Sequence, residues 1–217
     1  MDMPELQRDT TGDGINATSE TQSFTLIRRC SLWEFSVGAL SNPEKVRTFS
    51  TYEELMVCWE SLPLPSQLLQ NKPRRFSSLV SQVGFAEISA IALSREDIQP
   101  IWEDPANFAG GHWLVTLKPK HVKPDEADKI WRELALGAMF GQLQCADLVN
   151  VVRLIDKISG QRRVMDNIRI EVWYDGKATP QEIESLGTIV EASMRSFSES
   201  AMKPKDALTH RRHHHAV

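Results

Sequence analysis

The sequence predicts an α+β fold, an antiparallel sheet with helices on one face. Three observations carry that expectation. Segments with strand character outnumber amphipathic helices, about six to eight against three. Several connections between them are too short for the crossover that a parallel pair requires. The 217-residue length suits one globular domain of ordinary size. One face of such a sheet is left free to act as a binding surface.

The elements follow in chain order. Residues 23–36, FTLIRRCSLWEFSV, read as a strand with Leu26, Leu32, Trp33 and Phe35. Ser41-Asn42-Pro43 is a turn signal, and Val46 to Ser50 is a second strand. Thr51 opens a helix with Glu54 as its capping-box partner. Leu55, Cys58, Trp59 and Leu62 fall at helical spacing, and Pro63 and Pro65 end the run. Residues 64–96 are mixed. They hold a basic cluster, Lys72, Arg74 and Arg75, and an apolar stretch from Val83 to Leu93 that suits either a strand or a short helix.

Residues 97–112 form a long loop with two prolines and Gly110-Gly111. Trp113 to Lys118 is a strand. Pro124 or Asp125 starts a second helix, whose stripe is Ala127, Ile130, Trp131, Leu134, Ala138 and Phe140. Leu148 to Ile155 and Ile168 to Tyr174 are strands. Thr179-Pro180-Gln181-Glu182 starts a third helix with Ile183, Leu186, Val190, Met194 and Phe197 buried.

Charge divides the chain. Residues 1–22 carry Asp2, Glu5, Asp9, Asp13 and Glu20 against Arg8 alone, without apolar periodicity, and are expected to be a disordered acidic leader. The formal net charge of −4 therefore belongs to the leader, and the remainder is neutral. Residues 23–202 are the expected domain. Residues 203–217, with Lys203, Lys205, Arg211, Arg212 and His213 to His215, are expected to form a basic, flexible tail. No apolar run reaches the roughly 18–20 residues of a membrane helix, and no secretory leader pattern is visible. Cys30, Cys58 and Cys145 are odd in number and scattered. They suit a reducing, cytoplasmic location rather than a disulfide framework or zinc ribbon.

The chain has no phosphate loop, nucleophile elbow, zinc-protease motif or Cys-His pair at ligand spacing. Gly110-Gly111 suits a turn better than a phosphate cradle. The expectation is a binding module without catalytic residues, metal or cofactor. Its sharpest constellation is Trp102-Glu103-Asp104, in the long loop. An exposed indole stacks on a flat cationic base with about 1–3 kcal/mol. A neighbouring carboxylate accepts two parallel hydrogen bonds from a guanine N1–H and N2 amine. The competing interpretation is that Trp102 plugs the core edge and the acids cap a turn. On the last strand, alternation sets Arg169, Glu171 and Trp173 opposite Ile168, Ile170 and Val172. With Arg153, the basic-aromatic face suits a phosphate chain leading from a stacked base, or simply a solvated face.

These residues resemble the eukaryotic translation initiation factor 4E family, which binds the 7-methylguanosine 5′ cap of mRNA. IQPIWEDPANFAGGHWLVTL, residues 98–117, is similar to the family's most specific segment. Phe49 to Leu55, Asp128 to Leu134, Val152-Arg153 and Arg169 to Trp173 resemble its first two helices and the two strands lining its pocket. The resemblance implies a curved, cupped-hand sheet with three helices on its convex face. It implies that Trp102 stacks on the base and Glu103 reads the guanine edge. Arg153 and Arg169 would pair with phosphates, Trp173 would contact the N7 methyl, and His112 would assist. It further implies a scaffold or repressor protein that lays a helical peptide on Tyr52, Met56, Arg132 and Glu133.

The departures are specific. Cys30 and Met56 stand where the family has tryptophan, and loop 36–48 has no aromatic to supply the second ring of the cap sandwich. Val37 or Leu40 is left to cover that face, at a cost of about 1–3 kcal/mol. An insertion between Arg153 and Arg169 brings Lys157, Arg162 and Arg163. The first expectation is a non-enzymatic cap-binding protein of translation initiation or its regulation. The alternative is an interaction or repressor module of the same fold with weak or no cap binding.

Overall fold

The computed structural model describes residues 25–37, 42–69, 76–78, 87–158, 167–198 and 207–213. The acidic leader, Leu40, the basic cluster at Lys72 to Arg75, Arg162 and Arg163 lie outside the described residues.

Eight strands form one antiparallel sheet: β1 (Thr25–Ser36), β2 (Glu44–Thr51), β3 (Phe76–Ser77), β4 (Glu87–Arg95), β5 (Gly111–Leu117), β6 (Val149–Asp156), β7 (Ile168–Tyr174) and β8 (Leu208–Arg212). The order across the sheet is β2-β1-β4-β6-β7-β5-β8, with β3 added beside β4. Four helices accompany it: α1 (Tyr52–Trp59), α2 (Pro65–Leu69), α3 (Pro124–Met139) and α4 (Pro180–Phe197). The curved α+β fold and the long helices are thus as expected, with α2 an added short helix. There Pro65, expected only to end a run, occupies the first helical position, where its missing N–H costs nothing. The Ser66 N–H beside it donates to the Asp128 carboxylate at 2.7 Å and ties α2 to α3.

Both sequence-predicted capping boxes form. Thr51 Oγ1 accepts from the Glu54 N–H, and the Glu54 carboxylate accepts from the Ser50 and Thr51 N–H groups. Thr179 and Glu182 repeat this at α4. These reciprocal bonds satisfy donors that the first helical turn leaves open.

Two regions resolve differently from the simple pattern. From Glu87 onward the ambiguous apolar stretch is strand β4, because both its edges pair, with β1 and with β6. The tail expected to be flexible contains β8, which pairs with β5 from Gly111–Arg212 to Val115–Leu208. Its backbone closes the open edge of β5, a service that asks for no apolar alternation in the side chains.

Alternation divides the core. One face of the sheet sends Leu32, Leu93, Val152, Leu154, Ile170 and Val172 under the helices, where they meet Trp131, Leu134, Leu186 and Val190. The concave face carries a smaller buried cluster of Trp33, Phe35, Ala90, Ala92, Val151, Ile155 and Trp173. Ile98, in the loop after β4, packs on this second cluster.

Candidate nucleotide-binding site

The loop between β4 and β5 is built around two polar side chains. Asp104 accepts from the Gln99 and Ala106 N–H groups at 2.9 and 3.0 Å. Asn107 is fully buried, and its amide donates to the Gln99 and Ile101 carbonyls, both at 2.9 Å. The Asn150 amide on β6 donates to the Ala106 carbonyl at 3.1 Å and anchors the loop to the sheet. A loop whose backbone groups are satisfied this way holds its shape without an apolar interior. Gly110-Gly111 is neither a free turn nor a phosphate cradle. A Cβ on Gly110 would run into the Tyr174 carbonyl oxygen, and one on Gly111 into the Arg211 carbonyl oxygen.

Held by this frame, Trp102 is 48% exposed and Glu103 is exposed beside it. The core-plug interpretation of Trp102 is therefore set aside. Asp104, not Glu103, makes the turn.

The sheet side of the site is more covered than its sequence suggests. Arg169, Glu171 and Trp173 do lie opposite the Ile168, Ile170 and Val172 face, but Glu171 and Trp173 are buried rather than open. Trp173 is only 3% exposed. The Arg153 guanidinium lies 4.7 Å from its ring centroid and 5.3 Å from that of Phe35. Arg153 Nε and Nη2 donate to Glu171 Oε2 at 3.0 and 2.7 Å, and Trp173 Nε1 donates to the same oxygen at 2.9 Å. Burial alone would raise the Glu171 carboxyl, but Arg153, His112 and the Trp173 N–H hold it below the ordinary glutamate value. Arg169 is half-buried, with Nε 3.4 Å from Asn167 Oδ1. Lys157 follows β6, and its ammonium is lowered by burial and then by Arg169.

His213 is the residue that sequence reasoning placed in a loose tail. Beyond β8 its backbone N–H donates to the Gly110 carbonyl, and its ring meets the Trp173 edge at 4.6 Å between centroids. His213 Nδ1 lies 2.8 Å from the Asn107 carbonyl oxygen, so that nitrogen carries the proton. Its Nε2 is then the acceptor for His112 Nδ1–H, at 3.2 Å. Burial pushes His112 down to about 4, with Glu171 opposing and His213 reinforcing, and burial also lowers His213. Both imidazoles are neutral at pH 7. The signal available in the sequence was only the histidine run, with no carboxylate or cysteine nearby to complete a metal site. Among the described residues no group of three metal-ligating side chains occurs.

On the convex face, Tyr52, Arg132 and Glu133 surround one groove of about 240 Å³, floored by Leu136 and Phe140. The Tyr52 and Phe140 rings are 4.8 Å apart. Met56 lies on the same helix α1, half-buried against the core and outside this groove's lining.

A curved antiparallel sheet with helices on its back carries a rigid, aromatic-tipped loop on its concave side, an open surface suited to binding. The family model for eukaryotic initiation factor 4E matches residues 39–216, and the chain belongs to that family. Eukaryotic translation initiation factor 4E-5 of Caenorhabditis elegans is 27% identical over 203 residues, covering 91% of this chain and 89% of the relative. Eukaryotic translation initiation factor NCBP of Oryza sativa subsp. japonica is 32% identical over 191 residues, covering 84% and 71%. Two solved structures share the fold. Ascaris suum eIF4E-3 in complex with an m2,2,7G cap superposes with a TM-score of 0.65 at 15% identity, over 90% of this chain and 94% of that one. Caenorhabditis elegans eIF4E-3 in complex with the 4E-binding protein Mextli gives 0.63 at 17%, over 88% and 94%.

Proposed function

We propose that this chain binds the 7-methylguanosine 5′ cap of mRNA on its concave face, without chemical turnover, in cytoplasmic translation initiation or its regulation. The observation that carries the reading is the exposed Trp102 indole beside the exposed Glu103, on a loop pinned by Asp104 and Asn107. A methylated, cationic guanine stacks on that ring face, and its N1–H and N2 amine donate to Glu103. Val37, 55% exposed just beyond β1, is the described aliphatic side chain left to cover the other face. Arg169 attends the phosphates and Trp173 attends the N7 methyl, while Arg153 is held to Glu171 and the His112 Nδ1–H is given to His213. The relatives' names and the cap bound to the Ascaris suum protein support the same reading.

Titration with 7-methyl-GTP and with GTP, followed by tryptophan fluorescence, tests it. The expected result is quenching selective for the methylated nucleotide, with affinity reduced about tenfold or more in Trp102→Ala. Equal or absent responses to the two nucleotides would sink cap binding and leave the interaction-module alternative.

The convex groove receives a helical peptide from a scaffold or repressor protein. A groove with an apolar floor between charged walls suits an amphipathic helix. The neighbour solved with Mextli supports this assignment. Met56→Asp should weaken capture of such a peptide while leaving the nucleotide titration unchanged. Undiminished capture would remove Met56 from the partner surface and leave Tyr52 as the contribution of α1.

A further inference from the structure

Among the described residues, the concave face holds one buried ionised group that cap recognition does not use, Glu171. It is 6% exposed, in the middle of β7 and cross-strand from Arg153 on β6. A carboxylate is not retained in such a place without compensation. Here the compensation is complete on one oxygen. Glu171 Oε2 takes Arg153 Nε, Arg153 Nη2 and Trp173 Nε1, all within 3.0 Å. Two consequences follow for Arg153. Its Nε–Nη2 edge, one of the two edges with which guanidinium grips a phosphate in parallel, is taken. Its charge is also neutralised by a partner 2.7 Å away. The guanidinium plane is further fixed between the Phe35 and Trp173 rings. Arg153 is thereby part of the wall that holds Trp173.

We infer that Glu171 is a positioning and specificity-determining residue, which fixes Arg153 against Trp173 and cancels its charge so that the site reads the methylated base and discriminates only weakly by the number of phosphates. This rests on the cap-binding reading above. Each added phosphate on the ligand gains little from Arg153 while Glu171 is ionised, because the pair presents no net charge.

The test is a titration of the full chain with 7-methyl-GMP and 7-methyl-GTP. Glu171→Gln preserves an acceptor for Trp173 and Arg153 and removes only the charge. The triphosphate-to-monophosphate affinity ratio should stay below about tenfold in the unaltered protein and rise about fivefold or more in Glu171→Gln, a gain of about 1 kcal/mol per fivefold. Glu171→Gln with Arg153→Met, which restores the charge balance, should bring the ratio back. A purely structural role predicts instead that both nucleotides weaken by the same factor, and that result overturns the inference. Should Glu171→Gln not fold, the unaltered protein still decides. Its affinities for the two nucleotides should fall nearly in parallel as salt rises, whereas a much steeper fall for the triphosphate overturns the inference. Loss of methyl selectivity in the unaltered protein is a separate outcome. It defeats the cap-binding reading itself, and the inference with it.

Discussion

On β7, Ile168, Ile170 and Val172 go under the helices, while Arg169, Glu171 and Trp173 face the loop side. The two faces obey the same two-residue alternation and end in different chemistry. The convex face is held chiefly by apolar area, covered by α3 and α4. The concave face is held by a few specific contacts among charged and aromatic side chains, with the β4–β5 loop and the end of β8 as cover. The first kind of packing spreads its energy over many contacts, while the second concentrates it in a network whose members depend on one another. The fold therefore depends chiefly on one face and ligand specificity on the other.

The largest expected effect lies on the convex side. Trp131 is fully buried and stacks on Trp59 at 5.8 Å between centroids. Trp131→Ala should cost about 3–5 kcal/mol of stability, read from the midpoint of urea unfolding. Its Nε1–H has no hydrogen-bond partner among the described residues. Trp131→Phe removes that unsatisfied donor while keeping most of the ring, and should cost clearly less than the alanine change. Equal losses would mean that the packing around Trp131 collapses onto any smaller side chain.

The next effect belongs to the concave side and depends on pH. His112 has its proton affinity pushed down to about 4 by burial, below its ordinary 6.5. Above pH 6.5 both folded and unfolded chains carry it neutral, and it contributes no pH dependence. As pH falls from 6.5 towards 4 the unfolded chain takes up the proton and the folded chain does not. Stability is then lost, by on the order of 3 kcal/mol in total. The groups that face this imidazole, Glu171, His213, Arg153 and Arg211, are all part of the balance. His112→Asn keeps a donor for His213 and cannot titrate, so thermal unfolding midpoints should fall less steeply over that range. An unchanged slope would assign the acid sensitivity elsewhere.

Much of this contrast was legible in the sequence, for reasons that differ by region. The α1 and α4 starts were readable because Thr51/Glu54 and Thr179/Glu182 are local motifs whose partners lie three residues apart. The faces of β7 were readable because alternation is local too. Trp102 and Glu103 were readable as a resemblance, and their exposure required the structure. What could not be read was contact between distant residues. Glu171 looked like one more polar residue on an open face, and only the β6–β7 register brings Arg153 opposite it. The β8 strand was hidden because edge pairing uses backbone groups and leaves no pattern in Leu208 to Arg212. His213 was hidden with it, since its position is set by Gly110 and Asn107, over a hundred residues earlier.

The smallest expected effect sharpens the contrast most, because it involves the same residue type as the largest. Trp102 lies about half exposed on a loop whose frame is made by Asp104, Asn107 and Asn150 and not by the indole. Its removal opens no cavity and strands no buried polar group, so Trp102→Ala should change stability by no more than about 0.5 kcal/mol. Urea unfolding of this variant beside Trp131→Ala gives the comparison directly. Trp131→Ala should shift the midpoint strongly, and Trp102→Ala should leave it nearly in place even where nucleotide affinity is lost. A large loss of stability in Trp102→Ala would show that the indole braces the loop, and its exposure could then no longer be explained by a ligand alone.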